Sequence, residues 1–173
     1  LKQDFQHLSL DELVALFHAS RYNIRNGWSE RMRVALVDRK EVIIGLNDPN
    51  LLADIIYTYA NCRVQKHKRR VRRPEDIETK EAHDFISLFY QPMIKGFRNL
   101  SLDSYIRALL AVSITRIENF TELIYKGEEM FLKNFDKIDD FHISNIFYAF
   151  SKFDNGLSVG SFEFYKKMEE KVI

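Results

Sequence analysis

Leu8-Ser9-Leu10-Asp11 returns as Leu100-Ser101-Leu102-Asp103, and this recurrence decides the fold. Behind each copy the apolar residues fall at helical spacing: Leu13, Leu16 and Phe17 after the first, Ile106, Leu109 and Leu110 after the second. A second pair of segments repeats in the same way. Ala53-Asp54-Ile55-Ile56-Tyr57-Thr58-Tyr59-Ala60 and Ser144-Asn145-Ile146-Phe147-Tyr148-Ala149-Phe150-Ser151 both place apolar and aromatic side chains three and four residues apart, as one helix face requires. Self-similarity over tens of residues is the mark of a repeat architecture.

Each of four units opens on a residue suited to accept a hydrogen bond from a free first-turn N–H: Ser9, Asp48, Ser101 and Asp140. Pro49 follows Asp48 at the position where a proline costs a helix nothing. The starts lie about 39, 53 and 39 residues apart, and the long middle interval holds the one charge-dense stretch, Gln65 to Lys80. Each unit then supplies a second helix. The first runs from about Ser29 to Leu46 with Met32, Leu36 and Ile43 inward; the second from about Thr79 to Lys95 with Phe85, Leu88 and Phe89. The third offers Phe120, Leu123, Ile124 and Phe131, and the fourth Phe162, Tyr165 and Met168. Asn26-Gly27 and Asn155-Gly156 are turn dipeptides.

A lone hairpin cannot bury its apolar stripe, so neighbours must stack. The expected fold is therefore all-α: a short right-handed α-solenoid of about four helix–turn–helix repeats in one domain over residues 1–173. Its units fall at approximately 8–47, 48–99 (with the basic insertion 65–80), 100–138 and 139–173. An irregular helical bundle is the competing arrangement.

Composition agrees. The chain is 46% hydrophobic and 29% charged, and its six glycines and three prolines would leave a sandwich or barrel short of turns. A net charge of +1 excludes a molecule that binds nucleic acid through overall charge, so any basic surface is local. One cysteine, Cys62, excludes an internal disulfide and a Cys-rich zinc site, and its apolar helical setting suits a small core residue better than a reactive thiol. No stretch approaches the roughly 20 apolar residues of a membrane span. A removed targeting peptide and a late start both fit a first residue of Leu1.

The last unit carries a family resemblance. Phe141-His142-Ile143-Ser144-Asn145-Ile146-Phe147-Tyr148-Ala149-Phe150-Ser151-Lys152, followed by Phe164-Tyr165-Lys166-Lys167-Met168-Glu169-Glu170-Lys171-Val172-Ile173, resembles a pentatricopeptide repeat, and is similar also to the heptatricopeptide and octotricopeptide repeats. The likeness is good over the fourth unit, fair over the third and weak over the first two. It implies an organellar protein, in the mitochondrial matrix, and for most members single-stranded RNA read one base per repeat. Such reading needs a small polar side chain on the inner face of each first helix. The aligned places are Glu12, Asp54, Tyr105 and Asn145, of which Asn145 alone suits a base edge; Glu12 and Asp54 would repel a polyanion. Four units would also read about four bases, too few for useful specificity.

Short, degenerate relatives serve instead as protein scaffolds. In length, near-neutral charge and repeat number the chain is similar to pentatricopeptide-like accessory subunits of divergent, euglenozoan mitochondrial ATP synthases. Those sit outside the catalytic F1 head, against an alpha subunit. The resemblance therefore implies a non-catalytic accessory subunit bound to a larger mitochondrial protein complex, with the ATP synthase alpha subunit as partner. The alternatives are an organellar single-stranded-RNA-binding repeat protein and a mitochondrial ribosome-associated protein.

The local constellations point the same way. Lys66, Lys68, Arg69, Arg70, Arg72 and Arg73 place six cations in eight residues, able to clamp phosphates, to dock an acidic protein face, or to stand as a solvated insertion. Glu75, Asp76, Glu78 and Glu81 follow and partly neutralise them, and no aromatic residue interrupts the run as a base-stacking platform would need. These six, with Asn145, are the candidate partner or RNA contacts. His7, His18, His67, His83 and His142 show no metal-ligand spacing, and there is no phosphate-cradling glycine loop or nucleophile elbow. Asp139-Asp140 and Glu128-Glu129 are explained by capping or solvation. No enzyme activity, cofactor or metal is expected. Phe85, Phe89, Phe120, Phe131, Phe147 and Phe150 are expected in the core, and Phe5, Trp28 and Phe153 as possible anchors for a partner.

Overall fold

The computed structural model describes residues 5–20, 28–64, 77–115, 121–152 and 161–172, and among them the protein has nine α-helices and no strand. These are α1 (Leu10–Ser20), α2 (Trp28–Val37), α3 (Lys40–Ile44), α4 (Pro49–Val64), α5 (Ile77–Lys95), α6 (Leu102–Thr115), α7 (Thr121–Lys133), α8 (Asp140–Phe150) and α9 (Phe162–Val172). The protein is all-α.

The helix starts follow from their caps. The Ser9 hydroxyl accepts from the Glu12 N–H at 3.2 Å while the Glu12 carboxylate accepts from the Ser9 N–H at 2.7 Å, a reciprocal capping box. Asp48 accepts from the N–H groups of Asn50 (2.8 Å) and Leu51 (3.4 Å), and Ser101 from that of Ser104 (3.1 Å). The fourth cap is Asp139, one residue before the expected Asp140; it accepts from the His142 N–H at 2.9 Å, and Asp140 is the first helical residue. Two adjacent aspartates are equivalent candidates in a sequence. The structure chooses Asp139, whose extended backbone (φ −114°, ψ 178°) aims its carboxylate at the helix.

The tetrapeptide echo proves to be part of a longer entry device. Single 3-10 turns at Phe5–His7, Phe97–Asn99 and Phe135–Lys137 precede Leu8-Ser9, Leu100-Ser101 and Ile138-Asp139. Leu100 and Ile138 are extended, with nearly the same angles (φ −75°, ψ 130° and 127°), and both are buried under the helix they introduce. The turn aims the chain, the buried aliphatic fixes the entry, and the next residue caps.

The first helices pack in chain order. α4 against α6 is the most extensive contact in the molecule, α6 against α8 comes next, and α1 packs on α4. Three second helices lie beside their own first helices, α5 on α4, α7 on α6 and α9 on α8, whereas α2 packs on α4, the first helix of the following unit. From the second unit onward the contacts are those that stacked hairpins would make. An aromatic chain runs through the core from Tyr105 to Phe131 (5.3 Å between ring centres), Phe164 (5.7 Å) and Phe150 (5.5 Å). Each such buried ring or aliphatic contributes about 1.5–3 kcal/mol of transfer free energy.

Several expectations need correction. The second helix of the first unit is broken into α2 and α3 at Asp38 and Arg39, although Met32, Leu36 and Ile43 are buried as expected. At the break Arg39 leaves helical geometry (φ −104°, ψ 13°), and its guanidinium reaches back to the carbonyls of Phe5 and Gln6. Leu88 is exposed, because Phe85 and Phe89 take the buried face at a spacing of four. Phe162 is 85% exposed and Phe164 fills its place; with Ser161 capping at Phe164 (3.2 Å), Phe164 and Met168 share the inner face. Phe147 is 38% exposed, leaning on Tyr165, so it is not a core residue. Phe5 is buried against Trp28 (5.8 Å, edge to face), and so is core rather than an anchor for a partner. Asn26-Gly27, Asn155-Gly156, Phe120, Phe153 and the side chain of Cys62 lie outside the described residues.

Candidate partner-binding groove

The four first helices pack one after another, and polar side chains link them from helix to helix. At the top, the Asn50 side chain spans the entrance to α6: its Nδ2 donates to the Asn99 carbonyl (3.0 Å), and its Oδ1 accepts from the Ser101 N–H (2.8 Å). One turn down, the Arg107 Nη1 donates to Asp54 at 2.6 Å, joining α6 to α4. Between α6 and α8, His142 Nε2 meets Asp103 at 3.0 Å while its Nδ1 lies 2.5 Å from Asp139. The same imidazole therefore completes the cap of α8 and ties that helix to its neighbour.

Below these links a groove of about 320 Å³ crosses α1, α4, α6 and α8. Its floor is apolar: Phe17, Ile106 and Leu110, all buried. Aromatic walls rise on both sides. Tyr57 lies nearly parallel to His18 (6.2 Å between ring centres, 16°), and Phe141 is 62% exposed. The polar lining is His18, Asn61, Asp103, Arg107 and Asn145. Both asparagines donate Nδ2 to the carbonyl four residues back on their own helix, Asn61 to Tyr57 at 2.9 Å and Asn145 to Phe141 at 2.8 Å. Their amide oxygens remain as acceptors for a ligand.

The four places aligned with base-reading positions have four different surroundings. Glu12 is committed to its capping box, and the hydrogen bonds it accepts from the Ser9 N–H and hydroxyl hold its carboxyl below the usual range. Asp54 is paired with Arg107. Tyr105 is wholly buried, and burial pushes its hydroxyl up. Asn145 lines the groove. Lys66, Lys68, Arg69, Arg70, Arg72 and Arg73 lie outside the described residues.

What the sequence did not reveal is the cross-helix pairing. Asp54 with Arg107 and Asp103 with His142 stand 53 and 39 positions apart. The available signal was their common offset from the caps: Asp103 and His142 each lie two or three residues past Ser101 and Asp139, where neighbouring first turns meet. Among the described residues no three His, Cys, Asp or Glu side chains gather as a metal-ligand set, and no helix is long and apolar enough to cross a membrane. No family model matches the chain, and no curated protein matches it.

Proposed function

We propose that this chain is a non-catalytic accessory subunit of a larger mitochondrial assembly, a short right-handed solenoid of four repeats that holds a protein partner through its first helices. The observation that carries the proposal is the engagement of polar side chains on those helices. A repeat that reads bases must offer a free polar side chain from each first helix to a base edge. Here Glu12 caps its own helix, Asp54 holds Arg107 and Tyr105 is interior, so three of four positions are spent on the fold. Among the described residues, the first helices also line a groove with an apolar floor, aromatic walls and polar side chains, a composition that suits a protein partner.

The repeat resemblance makes the F1 head of a divergent mitochondrial ATP synthase, contacted at an alpha subunit, the first assembly to examine. The test against RNA is direct. Fluorescence anisotropy with a labelled single-stranded RNA, over a range of salt, should give no binding of steep salt dependence. Tight, salt-steep binding abolished by charge reversal at Arg69, Arg70, Arg72 and Arg73 would replace this proposal with an RNA-binding one.

A further inference from the structure

We propose that the outer face of α8 binds a second copy of this chain, α8 packed antiparallel on α8 about a two-fold axis beside position 146. The inference goes beyond the accessory role and does not depend on which partner that role involves.

α8 buries Ile143, Ile146, Ala149 and Phe150, and packs on α6 and α9. Along its opposite side Asp140, Ser144, Tyr148 and Ser151 follow one another at helical spacing, with Phe141 two turns before Tyr148. All are exposed, Phe141 by 62% and Tyr148 by 49%. Two large rings left open on one helix face mark a surface made for contact. Phe141 also forms a wall of the groove, so the two surfaces adjoin.

The stripe is complementary to itself when reversed. Large and small side chains alternate along it: Phe141, Ser144, Tyr148, Ser151. An antiparallel copy centred at position 146 sets Phe141 opposite Ser151 and Tyr148 opposite Ser144, in both directions, as a two-fold interface requires. Each ring then meets a small side chain. Covering the serines costs little, because each hydroxyl already donates within its own helix, Ser144 to the Asp140 carbonyl and Ser151 to the Tyr148 carbonyl, both at 2.7 Å.

Charge selects the same register. The stripe begins at the acidic Asp140 and ends at Lys152, whose Nζ stands 5.1 Å over the Tyr148 ring and so lies on this face. Between them His142 turns toward Asp103 on α6. Reversal brings the aspartate of each copy to the lysine of the other, at the rims of an aromatic centre. Parallel pairing would set aspartate against aspartate and lysine against lysine, and would align the helix dipoles. The order of rings, small side chains and charges that fits this face is therefore the order the same helix presents in reverse.

Sedimentation equilibrium of the full chain is the test, with Asp140→Lys and Lys152→Glu as variants. Either substitution alone makes both charge contacts repulsive. A mixture of the two restores them, because a copy with two lysines meets a copy with two carboxylates. Circular dichroism checks that each stays folded; Asp139 rather than Asp140 caps α8, and Lys152 lies beyond the helix. The wild type is expected to form a concentration-dependent dimer, each variant to dimerise at least about tenfold more weakly, and the equimolar mixture to regain the wild-type affinity within about threefold. Tyr148→Glu should weaken the dimer at least as much as either charge variant. A wild type that stays monomeric up to about 1 mM, assemblies larger than a dimer, variants that dimerise as the wild type does, or a mixture no tighter than its components would each overturn the proposal.

Discussion

Arg107 of α6 donates to Asp54 of α4 across 2.6 Å, at the junction of the two helices that pack most closely. The aspartate side chain is 19% exposed and the arginine 35%, so the pair is partly shielded but still within reach of solvent. A double-mutant cycle of Asp54→Ala and Arg107→Ala should give a coupling of about 1 kcal/mol, the upper part of the range for accessible ion pairs. Chemical denaturation of the four proteins measures it. A coupling indistinguishable from zero would mean that the two helices are held by packing alone.

Gly127 makes room for Tyr105. A Cβ built at position 127 would stand 1.8 Å from the Tyr105 hydroxyl oxygen, an approach no packing can accommodate without moving a fully buried ring. Gly127→Ala should therefore destabilise by about 1–3 kcal/mol or more, the usual cost of overpacking. Tyr105→Phe should behave in the opposite sense. Its hydroxyl is buried without a hydrogen-bond partner among the described residues, so removing it should leave stability unchanged or raise it. Thermal melts of both variants separate these outcomes; a strongly destabilised Tyr105→Phe would show that the hydroxyl has a partner.

Two phenylalanines two positions apart should differ widely. Phe164, buried between Phe131 and Phe150, should lose about 3–5 kcal/mol on conversion to alanine. Phe162, 85% exposed, should lose less than about 0.5 kcal/mol, as surface positions do. Equal losses in urea titrations would show that α9 is rotated relative to the arrangement described here.

The cap of α8 sets an acid dependence. The His142 N–H, donating to the Asp139 carboxylate, is the main cause of a carboxyl held below its ordinary value, with the His142 side chain adding to it. A carboxyl whose folded pKa is depressed stabilises the fold fully above its unfolded pKa of about 4, and loses that contribution as pH falls through the lower, folded value. The melting temperature of the wild type should therefore drop below about pH 4 more steeply than that of Asp139→Asn. The variant should already melt lower at neutral pH, through the weakened cap and the lost contact to His142. Parallel acid limbs for the two proteins would remove Asp139 from the account.

How far the sequence reached is clearest at the helix entries. Ser9, Asp48 and Ser101 were legible as caps because capping is local, a side chain bonding two or three residues ahead. Asp139 was missed by one position because Asp140 beside it has the same chemistry. The buried faces of α4, α6 and α7 followed from periodicity. Phe162 and Leu88 went wrong because spacings of three and four both fit one helix face, and the neighbouring helix decides between them. At the break between α2 and α3, Arg39 reaches carbonyls 34 and 33 positions away, a contact no local pattern contains.

The groove was legible in one residue, Asn145, which the repeat alignment placed on the inner face. The rest of it is a property of stacking. Phe17, Asn61, Arg107 and Phe141 meet because four helices from separate units pack one after another, and nothing within one unit marks them as neighbours.

Sedimentation of the native protein from a cell lysate, with and without ribonuclease, decides whether it is the protein-bound accessory subunit proposed above. A protein-bound subunit travels with a large protein assembly in both cases, at moderate salt. Release of the chain to the top of the gradient when RNA is digested would contradict it.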